Sequence, residues 1–349
     1  MDERKQGNGV KIFTGALVAV LVAVMGVSGY LVRKHLELKD NYENLEEDYQ
    51  YLEDNKNSIV TQEVASKLEE ERAKENELVM EQFREGLGGQ SSVISFLRKQ
   101  YEGKYLVYTG SPNYQFVPIL DVEMADYSDG EFVTDETTGL RSFQVDGKAV
   151  TKNVIDVSKY QGAIDWKAVK NYGIDGAMVR VGVRGYGSGE IVADSNFDNN
   201  IKGALAEDLD TGVYFFTSAI SEKEAEEEAD FVLKAIKPYK INLPVVFDLE
   251  KIAGDTARHE AVPKDEMTKI AKAFMKKIED AGYEAMLYGN IATISELVDL
   301  EELQEYKLWF AYYSDNIYVP YKVDMWQYAS DGKVDGVTTD CDVNMMFVE

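Results

Sequence analysis

Residues 151–349 predict an α/β barrel in which eight strands carry only five helices. Apolar runs with strand character alternate five times with helical stretches, an order typical of a parallel sheet with helices packed outside it. Two further connections are too short and too rich in turn residues for helices, so the last strands are bare. Acidic residues stand at several strand ends, where barrel enzymes gather their reactive groups. The predicted fold is therefore a modified TIM-like barrel of the form (β/α)5(β)3.

The strands and helices follow from these runs in chain order. Five helical stretches separate the first six strands. The fifth stretch lies in the region around SELVDLEELQEY. The connections SDNIYVPYK and ASDGKVDGVTTDC then lead to the last two strands. The predicted strands cover residues 154–157, 177–181, 212–216, 244–250, 284–289, 307–313, 323–328 and 342–347.

The N-terminal part of the chain predicts a membrane anchor. Residues 12–32 contain 21 residues without a charge, enough for a helix that crosses the hydrocarbon core. A cleavable signal peptide has a shorter apolar region, of about 7–15 residues. We therefore expect a cytoplasmic tail, 1–11, and an uncleaved single-pass anchor in the cell membrane. Basic residues flank both sides, so charge bias only partly supports an extracellular, wall-side C-terminal domain.

Two segments separate the anchor from the barrel. Residues 33–86 contain a heptad series, Leu38, Leu45, Leu52 and Ile59, and no proline, which predicts a helical stalk. The stalk is either a coiled coil that makes a homodimer or a single charge-laced helix, because later heptads are imperfect. Residues 87–150 alternate short apolar runs with turn signals such as SDGE and VDGK, which predicts a small β-rich connector.

Composition excludes several classes of function. The chain has 63 acidic and 37 basic residues, an excess that argues against nucleic acid as a partner. Cys341 is the only cysteine, and His35 and His259 are isolated from each other and from it. Zinc sites need several such ligands at short spacing, so we predict no metal and no cofactor. An isolated histidine is more often a packing or surface residue.

Four acidic residues stand out by their position at strand ends. Asp156 ends the first strand, and Asp248 and Glu250 end the fourth on the same side, because side chains alternate along a strand. Asp342 lies near the start of the last strand and joins them only if that strand begins earlier than its apolar run. A single acid at a strand end is usually a surface residue. Converging carboxyls push their pKa values apart, as general acid–base catalysis requires.

Five segments also resemble glycoside hydrolase family 25, the lysozyme-type muramidases of bacteria and phages. They are VIDVSKYQGAIDW, VRVGVRGYGSGEIVADSNFDNNIKGA, GVYFF, VVFDLE and MWQYASDGKVDGVTTDCDVN, in the family's order from Val154 onward. The resemblance implies hydrolysis of the β-1,4 bond between N-acetylmuramic acid and N-acetylglucosamine in peptidoglycan. It also implies a barrel with five helices and three bare strands, in agreement with the strand count.

The resemblance assigns roles to the four acids. Glu250 corresponds to the family's proton donor, and Asp248 to the residue that orients or stabilises the substrate's 2-acetamido group. Asp156 and Asp342 match the aspartates of the first and last motifs. Two mechanisms stay open, a retaining one through the acetamido group and an inverting one through water. Substrate-binding residues expected at the mouth are Tyr214, Tyr288, Trp326, Arg180 and Gln327.

Two other functions compete with a membrane-tethered muramidase. The same fold could serve as a catalytically silent scaffold that binds glycan, although both acids of the Asp-x-Glu pair are present. It could also be another acetamido-sugar glycosidase, such as a chitinase. The spaced aspartates typical of chitinases before the catalytic glutamate are absent here.

Overall fold

The computed structural model of the chain describes residues 60–88, 93–109, 114–252 and 257–348. The predicted tail, 1–11, the anchor, 12–32, and the first part of the stalk, 33–59, lie outside these ranges. Among the described residues no helix is both long and apolar enough to span a membrane. The chain forms two compact units, one ending at Phe116 and the other beginning at Val117.

The described part of the first unit combines helices with a small two-stranded sheet. Helix α1, Val60–Gly88, lies in the predicted stalk, and helix α2 is Val93–Gln100. Strand β1, Tyr105–Thr109, pairs with β2, Tyr114–Pro118. Leu97, Tyr101 and Val107 form a buried cluster between α2 and the sheet. The predicted connector thus contains a helix, because the apolar residues of VISFLRKQY share one helical face.

The second unit begins with a three-stranded antiparallel sheet, here called the connector sheet. Its strands are β3, Gly130–Thr134, β4, Arg141–Val145, and β5, Lys148–Ala149. Phe132 and Phe143 project from it, and their rings contact those of Trp326 and Phe347 in the barrel. The connector sheet and the barrel therefore share one hydrophobic core.

The barrel has eight strands in one closed sheet, as predicted. Neighbouring strands pair in the order β6-β14-β13-β12-β11-β10-β9-β7, and β6 pairs with β7 to close the ring. A short edge strand, β8 (Ile191–Ala193), is added to β7. The barrel strands are β6 (Thr151–Val157), β7 (Gly176–Arg184), β9 (Asp210–Phe216), β10 (Val245–Asp248), β11 (Ala285–Asn290), β12 (Lys307–Ala311), β13 (Met325–Gly332) and β14 (Cys341–Phe347).

Four α-helices follow the first four barrel strands. Helix α3 begins where the Asp165 carboxylate accepts a hydrogen bond from the Ala168 amide, and it ends at Gly173, whose φ of 110° suits glycine. Helix α5 is capped in the same way by the Ser221 hydroxyl. The helices are α3 (Trp166–Tyr172), α4 (Phe197–Ala206), α5 (Glu222–Ile236) and α6 (Lys264–Asp280).

The predicted fifth helix is replaced by two short turns. Thr293–Leu297 forms a π-helical turn and Glu301–Leu303 a 3₁₀ turn. Val298 between them has an extended backbone, and the Asp299 carboxylate accepts a hydrogen bond from the Glu301 amide, which starts the second turn separately. This local hydrogen bond competes with a continuous helix.

The last strand runs against its neighbours, so the sheet is mixed rather than wholly parallel. Strand β14 is antiparallel to both β13 and β6, whereas the other barrel pairs are parallel. The short connection before β14 permits a hairpin, which needs no crossover. Consequently the start of β14, and not its end, lies at the C-terminal ends of the other strands.

Candidate active site

Side chains at one mouth of the barrel, where the parallel strands end and β14 begins, line a pocket of about 200 Å³. The floor below it is apolar and includes Met178, Val246, Met286 and Met325. The polar mouth thus stands on a packed hydrophobic interior, which holds its side chains in place. The lining residues are Asp156, Arg180, Tyr214, Phe216, Asp248, Glu250, Tyr288, Trp309, Tyr313, Gln327 and Asp342.

The barrel brings the four predicted acids together. Asp156 lies near the end of β6, Asp248 is the last residue of β10, and Glu250 follows two residues later on the same side. Asp342 pairs directly with Asp156 across the antiparallel β14–β6 ladder. The antiparallel direction, which the sequence pattern did not reveal, is what admits Asp342 to the mouth.

Asp156 is buried and held by two amide side chains. Its Oδ2 accepts hydrogen bonds from Gln327 Nε2 at 2.8 Å and from Asn344 Nδ2 at 2.9 Å. Burial raises its pKa to about 6, although these hydrogen bonds and the nearby Arg180 charge oppose the rise. Asn344 is itself fixed, because its Oδ1 accepts a hydrogen bond from Trp309 Nε1 at 2.8 Å.

The Asp-x-Glu pair is protonated more readily than ordinary carboxyls. Burial raises the pKa of Glu250 to about 7, and the negative charge of Asp156 adds to the effect. Burial, the Glu250 charge and the Asp156 charge raise the pKa of Asp248 well above its usual range. Asp248 is 3% exposed, and its Oδ1 has no hydrogen-bond partner. Glu250 is the more accessible member, so it is the acid that a ligand in the pocket can reach.

Asp342 completes the acidic cluster. Burial raises its pKa to about 8, and the charges of Asp156 and Glu250 contribute. Burial and mutual repulsion therefore make this cluster hold its protons to higher pH than four separate, exposed carboxyls would. Within the described ranges, no group of three or more His, Cys, Asp or Glu side chains has a geometry suited to a metal ion.

The backbone around Glu250 is tied down by residues from neighbouring segments. His259 is fully buried, and its Nε2 lies 2.8 Å from the Glu250 carbonyl oxygen while its Nδ1 lies 3.2 Å from Ser218 Oγ. Thr293 Oγ1 donates to the Leu249 carbonyl at 2.9 Å, and the Ile252 amide donates to the Glu260 carboxylate. His259 is thus a hydrogen-bonded core residue, and its isolation in the sequence gave no sign of this contact.

Arg180 lines the pocket but is engaged by another residue. Its Nε and Nη2 each lie 2.8 Å from Asp194 Oδ2, and the side chain of Asp194 is completely buried. The guanidinium also lies 5.0 Å from the centre of the Tyr160 ring. Its position is therefore fixed, and it contributes positive charge beside Asp156 rather than a mobile contact.

Aromatic residues surround the acids, and two of the three predicted ones are among them. Tyr214 and Tyr288 line the pocket, and the Tyr288 hydroxyl donates to Gln327 Oε1 at 2.8 Å. Trp326, predicted to line the groove, does not. It is fully buried, packs edge-on against Phe132, and its Nε1 donates to the Tyr312 carbonyl at 2.8 Å. Met325 belongs to the barrel interior, so the next side chain faces outward.

Four residues of the site escaped the sequence analysis, and one of them is Phe216, which lines the pocket. Trp309 and Tyr313 line the pocket, and Asn344 supports Asp156. The Tyr313 hydroxyl donates to Gln327 Oε1 at 2.8 Å, beside Tyr288. Strand alternation is the signal that could have found them, because residues 309, 311 and 313 share one side, as do 342 and 344. The same rule excludes Trp326 once Gln327 is placed inside.

Comparisons with known proteins show which family and which folds this chain is similar to. The model of Glycosyl hydrolases family 25 matches residues 155–337. The uncharacterized protein YegX of Escherichia coli strain K12 is 26% identical over 198 residues, which cover 55% of this chain and 68% of YegX. The autolysin LytC of Streptococcus pneumoniae has a similar structure, with a TM-score of 0.51 and 25% identity.

The similarity covers 69% of this chain and 57% of LytC. This chain therefore spans little more than half the length of LytC, which is a modular protein. A second LytC structure, in complex with a synthetic peptidoglycan ligand, matches with a TM-score of 0.51 and 24% identity, over 70% of this chain and 56% of LytC.

Proposed function

Because the chain belongs to glycosyl hydrolase family 25, we propose that it is a muramidase that cleaves the β-1,4 bond between N-acetylmuramic acid and N-acetylglucosamine in peptidoglycan. The observation that carries this proposal is the cluster of four carboxyls at the barrel mouth, each with a raised pKa. Glycoside hydrolysis needs one carboxyl that keeps its proton and another that assists at the sugar. The LytC complex with a peptidoglycan ligand supports the same substrate class.

Glu250 is the proton donor in this proposal. It is the accessible member of the Asp-x-Glu pair, and burial together with the Asp156 charge raises its pKa to about 7. A group with such a pKa is still largely protonated in weakly acidic medium and can protonate the leaving glycosidic oxygen. The His259 and Thr293 hydrogen bonds hold the backbone that presents it.

Asp248 receives the substrate's 2-acetamido group. Its Oδ1 is buried without a hydrogen-bond partner, and such an oxygen gains free energy when a ligand supplies a donor. The acetamido N–H is a donor of suitable size and polarity. By orienting this amide, Asp248 would favour attack of the acetamido oxygen on the anomeric carbon, as in substrate-assisted glycosidases.

The remaining lining residues support this chemistry. Asp156 raises the pKa of Glu250 by its charge, and Gln327 and Asn344 hold Asp156 in position. Tyr214, Tyr288 and Tyr313 line the pocket, and Tyr313 is the most exposed of the three. Sugar rings carry apolar C–H faces that pack well on aromatic rings, so these side chains bind glycan while the carboxyls react.

The test uses the full-length chain in detergent with purified peptidoglycan. New reducing ends are measured, and mass spectrometry identifies the sugar that carries them. Glu250→Gln removes the proton donor while keeping its shape, and Glu279→Gln, an exposed position at the end of α6, is the matched control. We expect muramic acid at the new reducing ends, abolished by Glu250→Gln and unaffected by Glu279→Gln.

Other outcomes identify the competing functions. Retained binding of peptidoglycan without new reducing ends would indicate a glycan-binding scaffold. Reducing ends that carry N-acetylglucosamine, or cleavage of chitin oligomers, would indicate a different acetamido-sugar glycosidase. Activity that survives Glu250→Gln would remove Glu250 from the role of proton donor.

The location of the enzyme is a second part of the proposal. The uncharged run at residues 12–32 would anchor the chain in the cell membrane, and the stalk would hold the barrel toward the wall. Protease added to intact spheroplasts should then digest the barrel and leave a membrane-bound N-terminal fragment. Complete protection of the barrel would contradict this orientation. Cross-linking of the full-length chain in membranes tests whether the stalk pairs two copies.

A further inference from the structure

The segment between β12 and β13, residues 312–324, has no helix to hold it. It carries Tyr313, whose hydroxyl donates to Gln327, the residue that in turn donates to Asp156. Tyr313 is 56% exposed, so packing alone does not fix its position. Its placement depends on how the backbone on either side is held.

The barrel holds one side of Tyr313. The Tyr312 amide donates to the Gln327 carbonyl at 3.0 Å, and Trp326 Nε1 donates to the Tyr312 carbonyl at 2.8 Å. On the outside of the barrel, the ring of Phe132 from the connector sheet packs edge-on against Trp326, with ring centres 5.8 Å apart. Trp326, which holds the backbone at Tyr312, therefore packs against the connector sheet.

The connector sheet holds the other side of Tyr313 directly. Arg141, the first residue of β4, donates from Nη1 to the Ser314 carbonyl at 2.5 Å. Its guanidinium lies 4.8 Å from the centre of the Tyr328 ring, and Arg141 is only 19% exposed. The ion pair with Asp315 is a minor part, because Asp315 is 92% exposed and solvent screens such pairs.

Residues before the connector sheet fix the far end of the same segment. The Ala125 amide donates to the Pro320 carbonyl, and the Lys322 amide donates to the Glu123 carbonyl, each at 2.8 Å. The Leu120 amide also donates to the Tyr321 hydroxyl. The connection between β12 and β13 is thus bound at both ends by residues that precede the first barrel strand.

From these contacts we infer that residues 117–150 are a working part of the active site and that Arg141 is a positioning residue for it. Arg141 fixes the Ser314 carbonyl, which places Tyr313 against Gln327, and Gln327 orients Asp156. The region is therefore more than a spacer between the stalk and the barrel. The catalytic consequence rests on the proposed muramidase activity, whereas the ordering of the segment does not.

Hydrogen–deuterium exchange of the full-length chain tests the ordering without any substrate. We compare Arg141→Met, which removes the charge, with Arg141→Lys, which keeps it without the planar donor fork. Lys276→Met, which breaks an exposed ion pair on α6, is the control. Arg141→Met should speed exchange in residues 312–318 about tenfold, the change that corresponds to losing one well-made contact. Arg141→Lys should give a smaller increase, and exchange within α6 should stay unchanged.

Kinetics on peptidoglycan test the catalytic consequence. Arg141→Met should lower kcat/KM about tenfold to 100-fold, since small displacements of positioning groups have effects of this size. In a Tyr313→Phe background, Arg141→Met should lower kcat/KM much less, because Arg141 acts by positioning the Tyr313 hydroxyl, which is already absent. Lys276→Met should leave kcat/KM unchanged.

The outcomes separate the ordering from the enzyme assignment. Unchanged exchange at 312–318 in Arg141→Met would overturn the positioning role, as would an equal increase throughout the barrel, which signals general destabilisation. Full additivity of Arg141→Met and Tyr313→Phe would show that Arg141 does not act through Tyr313. A wild-type chain that releases no reducing ends refutes the proposed function, while exchange still decides whether Arg141 orders the segment.

Discussion

The ionisation of Glu250 depends on Asp156, and this dependence gives the sharpest prediction. Burial raises the pKa of Glu250 to about 7, and the negative charge of Asp156 is the second cause of the rise. Asp342, with a pKa of about 8, is mostly still protonated and neutral. Asp156 is thus the charged neighbour that makes the loss of the Glu250 proton unfavourable. Asp156→Asn removes this charge while keeping the size of the side chain.

The direction and size of the effect follow from the pKa of Glu250. Its pKa stands at about 7 against an ordinary 4.5, with burial the larger cause and the Asp156 charge the second. Burial persists in Asp156→Asn, so only part of the rise is lost. We expect the pKa of Glu250 to fall by about one unit, equivalent to ~1.4 kcal/mol of interaction between the two groups.

The assay is the pH dependence of kcat/KM for release of reducing ends. If Glu250 is the proton donor, as proposed, its protonated form is the active one, and activity falls on the alkaline side with a midpoint at its pKa in the free enzyme. Asp156→Asn should move that midpoint to lower pH, whatever its effect on the maximum rate. Asp342→Asn is the control and should leave the midpoint almost unchanged. An alkaline midpoint that stays in place or moves upward in Asp156→Asn would show that the Asp156 charge does not raise the pKa of Glu250.

Three further predictions concern the surroundings of the acids. His259→Ala should reduce kcat about tenfold to 100-fold with little change in KM, because the Glu250 carbonyl loses its hydrogen bond. Added imidazole should restore part of the lost kcat. Failure of imidazole to restore any activity, with a normal unfolding curve, would argue against this role. Asp342→Asn should stabilise the barrel by ~1–2 kcal/mol at alkaline pH, after allowance for solvent screening. The folded-state pKa of Asp342 is raised to about 8, so its contribution to stability is present below its ordinary pKa of 3.8 and is lost as the pH rises through 8. Urea denaturation at acidic and alkaline pH measures the difference, and an equal effect at both would contradict it. Trp326→Phe should lower the free energy of unfolding by ~1 kcal/mol, the value of one hydrogen bond, since its indole N–H donates to the Tyr312 carbonyl. A higher KM with unchanged stability would instead make Trp326 a substrate contact.

Local patterns in the sequence predicted the barrel well, because each strand and helix carries its own periodicity. The eight apolar runs correspond to the eight barrel strands, and four helical stretches correspond to α3–α6. The break at Val298 is followed by a side-chain hydrogen bond from the Glu301 amide to Asp299, a contact that periodicity does not reveal. The direction of β14 was missed for a similar reason, since an apolar run has the same pattern in either direction.

The candidate site was predictable where residue type and strand position coincide. Asp156, Asp248 and Glu250 stand at strand ends and meet at the mouth. Trp326 shows that residue type alone does not identify a pocket residue. Its aromatic side chain suits a sugar site, but it faces outward from the barrel strand, away from the pocket. The contribution of Arg141 could not be predicted, since it depends on a contact between residues 173 positions apart in the chain.

The position of β14 in the sheet also controls when the site can form during synthesis. This strand is the last of the eight to leave the ribosome, yet it lies between β13 and β6 and brings in Asp342 and Asn344. Asn344 and Asp156 meet across 188 residues, a separation that makes their contact a late event in folding. Until residues 341–347 have emerged, the ring is open and Asp156 lacks one of its two amide donors. In a nascent chain the acidic site would therefore stay incomplete until the final barrel strand is in place.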